Sequence, residues 1–194
     1  EMRTPGYAAT WVLIQFGHND QPGKPGRSTD LQHEFPDNLR RYVQQVRAAG
    51  ATPVLLTPLT RRQFVDGALV DDLAPWADSV RTVARELQVP LVDLHARSRA
   101  LVQALGPVPA MQLAQAPASQ AQVASALGGT TVGASPAVAG ATAAAQNAAL
   151  EPMGQAKRAF DYTHLGADGA AVFASLVATE LAREVPALRP LLLP

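Results

Sequence analysis

Three short apolar runs, residues 11–16, 54–57 and 89–94, are each followed by a stretch in which apolar residues recur at helical spacing, and that alternation sets the fold. After the first run, Leu39, Tyr42, Val43 and Val46 fall at i, i+3, i+4 and i+7, with Pro36 in the opening turn and Gly50 just past the end. After the second, Pro75 opens a helix that puts Trp76, Val80, Val83, Ala84 and Leu87 on one face. A third helix is predicted over 96–105, closed by Gly106. Strand and helix in alternation imply right-handed crossovers and a parallel sheet between helices, an α/β chain. The carboxyl ends of such strands share one edge, so 17–20, 57–64 and 93–97 are expected to line the site.

The first run is read as a buried strand ending in Gly17-His18-Asn19-Asp20. Gly17 allows a tight turn and close approach, and Asn19 can aim its amide at a developing negative charge or simply suit the turn's geometry. Asp20 is expected to accept backbone N–H bonds that fix the loop. His18 either lines the pocket or is a hydrogen-bonded turn residue. Arg61 and Arg62 follow the second strand and have the forked donors that suit sugar hydroxyls or a uronate carboxylate, or an ion pair with Asp66 or Asp71. Asp93 is expected to cap a helix or order a loop. Near the end of the chain, Asp161-Tyr162-Thr163-His164 precedes a helix with Ala170, Phe173, Ala174, Val177 and Leu181 on its stripe, running to about Arg183 and stopped by Pro186. In isolation an Asp-x-x-His is more simply a helix cap with a surface histidine. His18, Asp20, Asp161 and His164 are metal-ligand types, but without metal-ligand spacing, so no metal site is predicted.

Taken together, Phe16-Gly17-His18-Asn19-Asp20 and Asp161-Tyr162-Thr163-His164 resemble two sequence blocks of the GDSL (SGNH-type) esterases. The context Ile14 to Asp20, followed by Leu56-Thr57-Pro58-Leu59-Thr60-Arg61-Arg62-Gln63-Phe64, is most similar to their rhamnogalacturonan acetylesterase branch. The resemblance implies a three-layer α/β/α, flavodoxin-like fold and a serine esterase that removes acetyl groups from a polysaccharide through an acyl-enzyme. It makes His164 the general base and Asp161 the carboxylate that holds its tautomer. It makes Asn19 and Gly17 part of the oxyanion hole, and beside them His18, Arg61 and Arg62 are read from their own chemistry as substrate-binding residues. No cofactor is implied, and a polymeric substrate implies a secreted or periplasmic location.

The family's Gly-Asp-Ser block is not in this sequence. Ser28, Ser79, Ser98, Ser119, Ser125, Ser135 and Ser175 are its serines, and none follows a Gly-Asp pair at a strand-to-helix turn. The nucleophile and the first strand or strands are therefore expected upstream of Glu1, and the 194-residue chain alone is expected to be inactive. Two other readings fit: a non-catalytic carbohydrate-binding or scaffold domain derived from such an esterase, and a hydrolase of lipid or small acyl esters.

Length supports a single domain, partial over 1–194, with an insertion at about 107–155. From 100 to 150 no Asp, Glu, Lys, Arg or His occurs, and Ala and Gln dominate. A partly helical segment over 112–127, interrupted at Pro117, and a flexible loop over 128–140 are expected there. The insertion is either irrelevant to catalysis or a lid or partner-binding arm over the site. Sixteen basic and sixteen acidic residues cancel, which argues against a nucleic-acid or anionic-membrane surface. There is no cysteine, hence no disulfide. The expected partner is an acetylated polysaccharide or small ester, and nothing in the pattern addresses oligomeric state.

Overall fold

The computed structural model describes residues 8–132 and 160–192. In chain order the elements are β1 (Trp11–Gln15), α1 (Glu34–Ala48), β2 (Thr52–Leu56), β3 (Phe64–Val65), β4 (Ala68–Leu69), α2 (Ala74–Glu86), β5 (Leu91–Val92), α3 (Leu94–Leu105), α4 (Pro107–Met111), α5 (Gln120–Leu127) and α6 (Ala167–Glu184). A 3-10 turn (Pro186–Leu188) and a short α7 (Arg189–Leu192) follow. The chain divides into two compact units. The first takes in the described residues within Glu1–Pro58, Leu73–His95 and Val177–Pro194, and the second those within Leu59–Asp72 and Ala96–Leu176.

In the first unit the expected parallel sheet is present, in the order β1-β2-β5. Trp11 aligns with Thr52 and Gln15 with Leu56, while Leu55 and Leu56 align with Leu91 and Val92. The central strand β2 is buried on both faces, with Val54 and Leu55 fully inaccessible, which explains its unbroken apolar sequence. Helices α1 and α2 supply one apolar face each. Phe35, Leu39, Val43 and Val46 meet Trp76, Val80, Val83 and Ala84 over Ile14 and Leu55 in one cluster. Each buried Val, Leu, Ile or Phe side chain among them contributes about 1.5–3 kcal/mol. Gly50, at φ 78, closes α1 through its N–H to the Arg47 carbonyl.

Some boundaries differ from expectation. The first and third strands are shorter than expected, the second runs Thr52–Leu56 rather than 54–57, and α3 starts at Leu94 rather than 96. The first strand is not buried throughout: Leu13 is 47% and Phe16 45% exposed, because among the described residues β1 pairs on one side only.

The second unit contains a β-hairpin, β3-β4, where no strand was expected. Asp66 and Gly67 both take positive φ, as a tight two-residue hairpin turn requires. Its core joins Phe64, Leu69, Val102, Ala110, Leu113 and Phe173. The described part of the 107–155 segment is built into this unit. Helix α5 starts after Pro117 with a reciprocal capping box between Ser119 and Gln122. Thr131 pairs with Phe64, its Oγ1 accepting the Phe64 N–H at 2.9 Å and its own N–H reaching the Phe64 carbonyl at 2.9 Å. The rest of that segment, including most of the expected 128–140 loop, lies outside the described residues.

The buried stripe of α6 is rotated by about one position from the expected one. Gly169, Phe173 and Leu181 are buried, while Ala170 and Ala174 are exposed. The apolar tail is not packed down along its length, since Val185 is buried but Leu191 is 79% exposed. Among the described residues no helix is long and apolar enough to cross a membrane.

Candidate active site

In the first unit, β1 runs out into the turn that holds Gly17, His18, Asn19 and Asp20. Asp20 fixes this turn. Its Oδ2 accepts the Gly17 N–H at 2.9 Å, and its Oδ1 and carbonyl accept the hydroxyl and N–H of Thr29. Gly17 is buried at φ 130, and a β-carbon there would lie 3.1 Å from Pro58 Cγ. Glycine is thus demanded twice, by backbone angle and by space. His18 is half-buried, and Asn19 is exposed at the tip of the turn. The strand ends are tied together by Gln15, whose Nε2 donates to the Thr57 carbonyl at 3.2 Å.

Beside it lies a polar cluster. Thr57, fully buried, donates its hydroxyl to Asp93 Oδ1 at 3.0 Å and accepts the His95 N–H at 2.8 Å, so Thr57 satisfies the opening of α3. Asp93 receives a forked pair from Arg81, both bonds 2.9 Å, and that carboxylate raises the Arg81 guanidinium above its ordinary value. Sequence reasoning gave Asp93 a helix-capping or loop-ordering role but missed Thr57, although a hydroxyl at the end of an apolar strand was a usable signal.

In the second unit, Asp161 and His164 form one closed local structure. Asp161 Oδ1 accepts the N–H groups of Thr163 (2.7 Å) and His164 (2.6 Å), and Oδ2 lies 2.8 Å from His164 Nδ1. Burial alone would raise the Asp161 pKa. The His164 ring and the two backbone N–H groups outweigh it, so the carboxyl titrates below the usual range. A carboxylate that accepts from Nδ1 holds the ring in the tautomer that carries its proton on that nitrogen. The imidazole is well exposed, at 62% of its side chain.

Beneath this turn sits Arg62, only 1% exposed. Its guanidinium donates to the carbonyls of Asp161 (3.2 Å), Thr163 (3.3 Å) and His164 (2.8 Å), and its own N–H reaches the Tyr162 carbonyl at 3.0 Å. All four carbonyls of 161–164 therefore face residue 62. Burial pushes the Arg62 guanidinium down to about 10, with the Asp161 charge pulling the other way. Arg61 donates from Nε to Thr163 Oγ1 at 3.3 Å and pairs with Asp72. Both arginines, read from the sequence as substrate-binding, are thus bonded to the Asp161–His164 turn or its neighbours. A further partner, Gln115, donates from Nε2 to Asp161 Oδ2 at 3.1 Å, and nothing in the sequence pointed to it. Ser98 is fully buried, its Oγ accepting the Thr60 N–H. Among the described residues no group of three or more His, Asp or Glu is placed to hold a metal ion.

A parallel sheet with polar turns at its strand ends, flanked by helices that pack on it, defines an α/β protein of the class in which ligand sites form at the carboxyl edge. Within that class, residues 2–112 match the profile of the GDSL-like Lipase/Acylhydrolase family, and the chain belongs to it. It is 40% identical over 98 residues to the rhamnogalacturonan acetylesterase RhgT of Bacillus subtilis (strain 168), covering 50% of this chain and 41% of that protein. It is 33% identical over 91 residues to the probable rhamnogalacturonan acetylesterase YesY of the same organism, covering 46% and 42%. The chain spans about two-fifths of the length of these curated relatives. The crystal structure of the Bacillus subtilis protein YxiM superposes with a TM-score of 0.55 at 23% identity, over 91% of this chain and 38% of that one, and shows the same fold.

Proposed function

We propose that this chain supplies the general base, its orienting carboxylate and one oxyanion-hole donor to a serine esterase that removes acetyl groups from a polysaccharide of the rhamnogalacturonan type. The observation that carries the reading is the Asp161–His164 pair, with Oδ2 2.8 Å from Nδ1 and Oδ1 closed by two backbone amides. That arrangement is what a hydroxyl nucleophile requires of its base. The base takes the hydroxyl proton as the oxygen attacks the acetyl carbonyl, and returns it to the leaving sugar oxygen. Water then repeats the cycle on the acetyl-enzyme. Asn19 on the Gly17–Asp20 turn serves the developing oxyanion, a contribution on the order of 10²–10³ in kcat. The acetylesterase names of RhgT and YesY support acetyl esters of rhamnogalacturonan as the substrate, and a polymeric substrate supports a secreted or periplasmic site of action.

The nucleophile is proposed to lie in residues encoded upstream of Glu1. Loss of the serine from a triad hydrolase costs about 10⁶ in kcat, so the 194 residues alone are expected to release no acetate. The test has two parts. The encoding DNA is read upstream for an in-frame Gly-Asp-Ser, and acetate release from acetylated rhamnogalacturonan is measured for the chain with and without that upstream segment. Release by the longer protein that disappears in its His164→Ala variant supports the proposal. A reading frame that starts without the motif supports the second reading, a non-catalytic carbohydrate-binding domain.

A further inference from the structure

We infer that Gln115, from the charge-free Ala/Gln-rich segment, is a positioning residue for the Asp161–His164 pair. The inference rests on the reading of that pair as orienter and base. Residues 113–115 run along residues 164–166: the Gly166 N–H reaches the Leu113 carbonyl at 3.0 Å, Ala114 bridges Leu165 in antiparallel fashion, and the Gln115 N–H reaches the His164 carbonyl at 3.3 Å. Anchored by its own backbone, Gln115 extends its side chain to Asp161 Oδ2 at 3.1 Å. A carboxylate only accepts, so the contacting atom is the amide nitrogen whichever way the amide is drawn.

The consequence follows from counting lone pairs. Oδ1 accepts two backbone N–H groups, and Oδ2 accepts Gln115 and His164 Nδ1. Four donors fill the in-plane positions of the carboxylate, which fixes its plane and leaves the imidazole one direction from which to bond. Gln115 also withdraws part of the charge that Asp161 otherwise places on the imidazole. The other charged groups at this site are Arg62, beneath the turn, and Arg61, which is paired with Asp72 and bonded to Thr163. Neither donates to Oδ2, so Gln115 is the neutral control on that oxygen. The described start of the segment is therefore a working part of the site rather than a passive insertion.

The experiment is a nitrogen-15 NMR titration of the His164 imidazole in the 194-residue chain, assigned with His164→Asn, for wild type, Gln115→Leu and Gln115→Asn. Leucine removes the donor at similar volume, and asparagine keeps the amide but falls one methylene short. Wild type is expected to hold a single tautomer with the proton on Nδ1. In both variants the His164 midpoint is expected to move upward and the tautomers to mix, because the full carboxylate charge falls on a ring whose partner now rotates. A His164 midpoint and tautomer unchanged in both variants, or a midpoint that moves down, overturns the inference even if both variants melt at lower temperature. If Gln115→Leu does not fold, Gln115→Asn decides alone. The readout needs neither nucleophile nor substrate, so failure of the esterase reading, seen as no acetate release by the longer protein, is separately visible.

Discussion

The Arg62 guanidinium lies 2.8 Å from the His164 carbonyl, and it also binds the carbonyls of Asp161 and Thr163. One cation thus organises the backbone of the turn, and this relationship predicts how the turn fails. Arg62→Met leaves the carbonyls of Asp161 and Thr163 without this donor, and each buried unsatisfied acceptor costs about 1–3 kcal/mol. Relief from burying a charge offsets part of that. The expected net loss is on the order of 3 kcal/mol, read as a lower urea midpoint. Arg62→Lys recovers only a fraction, because one ammonium cannot fan across three carbonyls.

Asp161 makes stability depend on pH. Its folded pKa is held below the ordinary carboxylate value of 3.8 by the His164 ring and the two backbone amides, against the opposing effect of burial. A group with a depressed folded pKa contributes stability that is present above its unfolded value and lost as pH falls through the folded one. Wild type should therefore exceed Asp161→Asn in melting temperature at pH 6, with the difference shrinking below about pH 4. A difference that stays constant from pH 6 to pH 3 would refute the coupling.

The sheet was legible because its driving force is local: runs such as Val54-Leu55-Leu56 and the helical stripes of Leu39 or Val80 carry their burial in their own spacing. The Asp66-Gly67 turn of β3-β4 carries a hairpin signal too, but each of its flanking strands is only two residues long. What spacing could not disclose is partnership across distance. Arg62 precedes its carbonyls by about a hundred residues, and it is buried beneath the turn they belong to. Gln115 lies in a low-complexity stretch whose composition suggests only partial helix, and its place is fixed instead by main-chain bonds to residues 164–166. The one-position rotation of α6 has the same origin, since Gly169, against the Leu113 carbonyl, and not Ala170, faces inward.

Thr57 offers a prediction in the other unit. Its hydroxyl serves both Asp93 and the His95 N–H, so Thr57→Val keeps shape while removing a donor and an acceptor at once. Asp93 retains its fork from Arg81. The expected cost is about 1–2 kcal/mol, with Thr57→Ser restoring most of it. Equal stability of the valine and serine variants in chemical denaturation would show that the hydroxyl contributes nothing.

Gly169 and Gly166 test whether the 113–115 segment is built in. A β-carbon at Gly169 would collide with the Leu113 carbonyl, and one at Gly166 would lie 2.5 Å from the Ala114 carbonyl oxygen. Both obstacles are backbone, which cannot swing aside as a flexible side chain does. Alanine normally favours a helix over glycine by about 1 kcal/mol, so at an open helical position Gly169→Ala would stabilise α6. Here the collision reverses the sign: the variant must push 113–115 off the start of α6, at a cost of about 3 kcal/mol or more. Hydrogen exchange reads this directly at the Gly166 N–H, whose acceptor is the Leu113 carbonyl. In Gly169→Ala that amide should lose protection while those of β2 keep theirs, whereas a segment lying loosely on the surface would leave the Gly166 amide unchanged and the helix more stable.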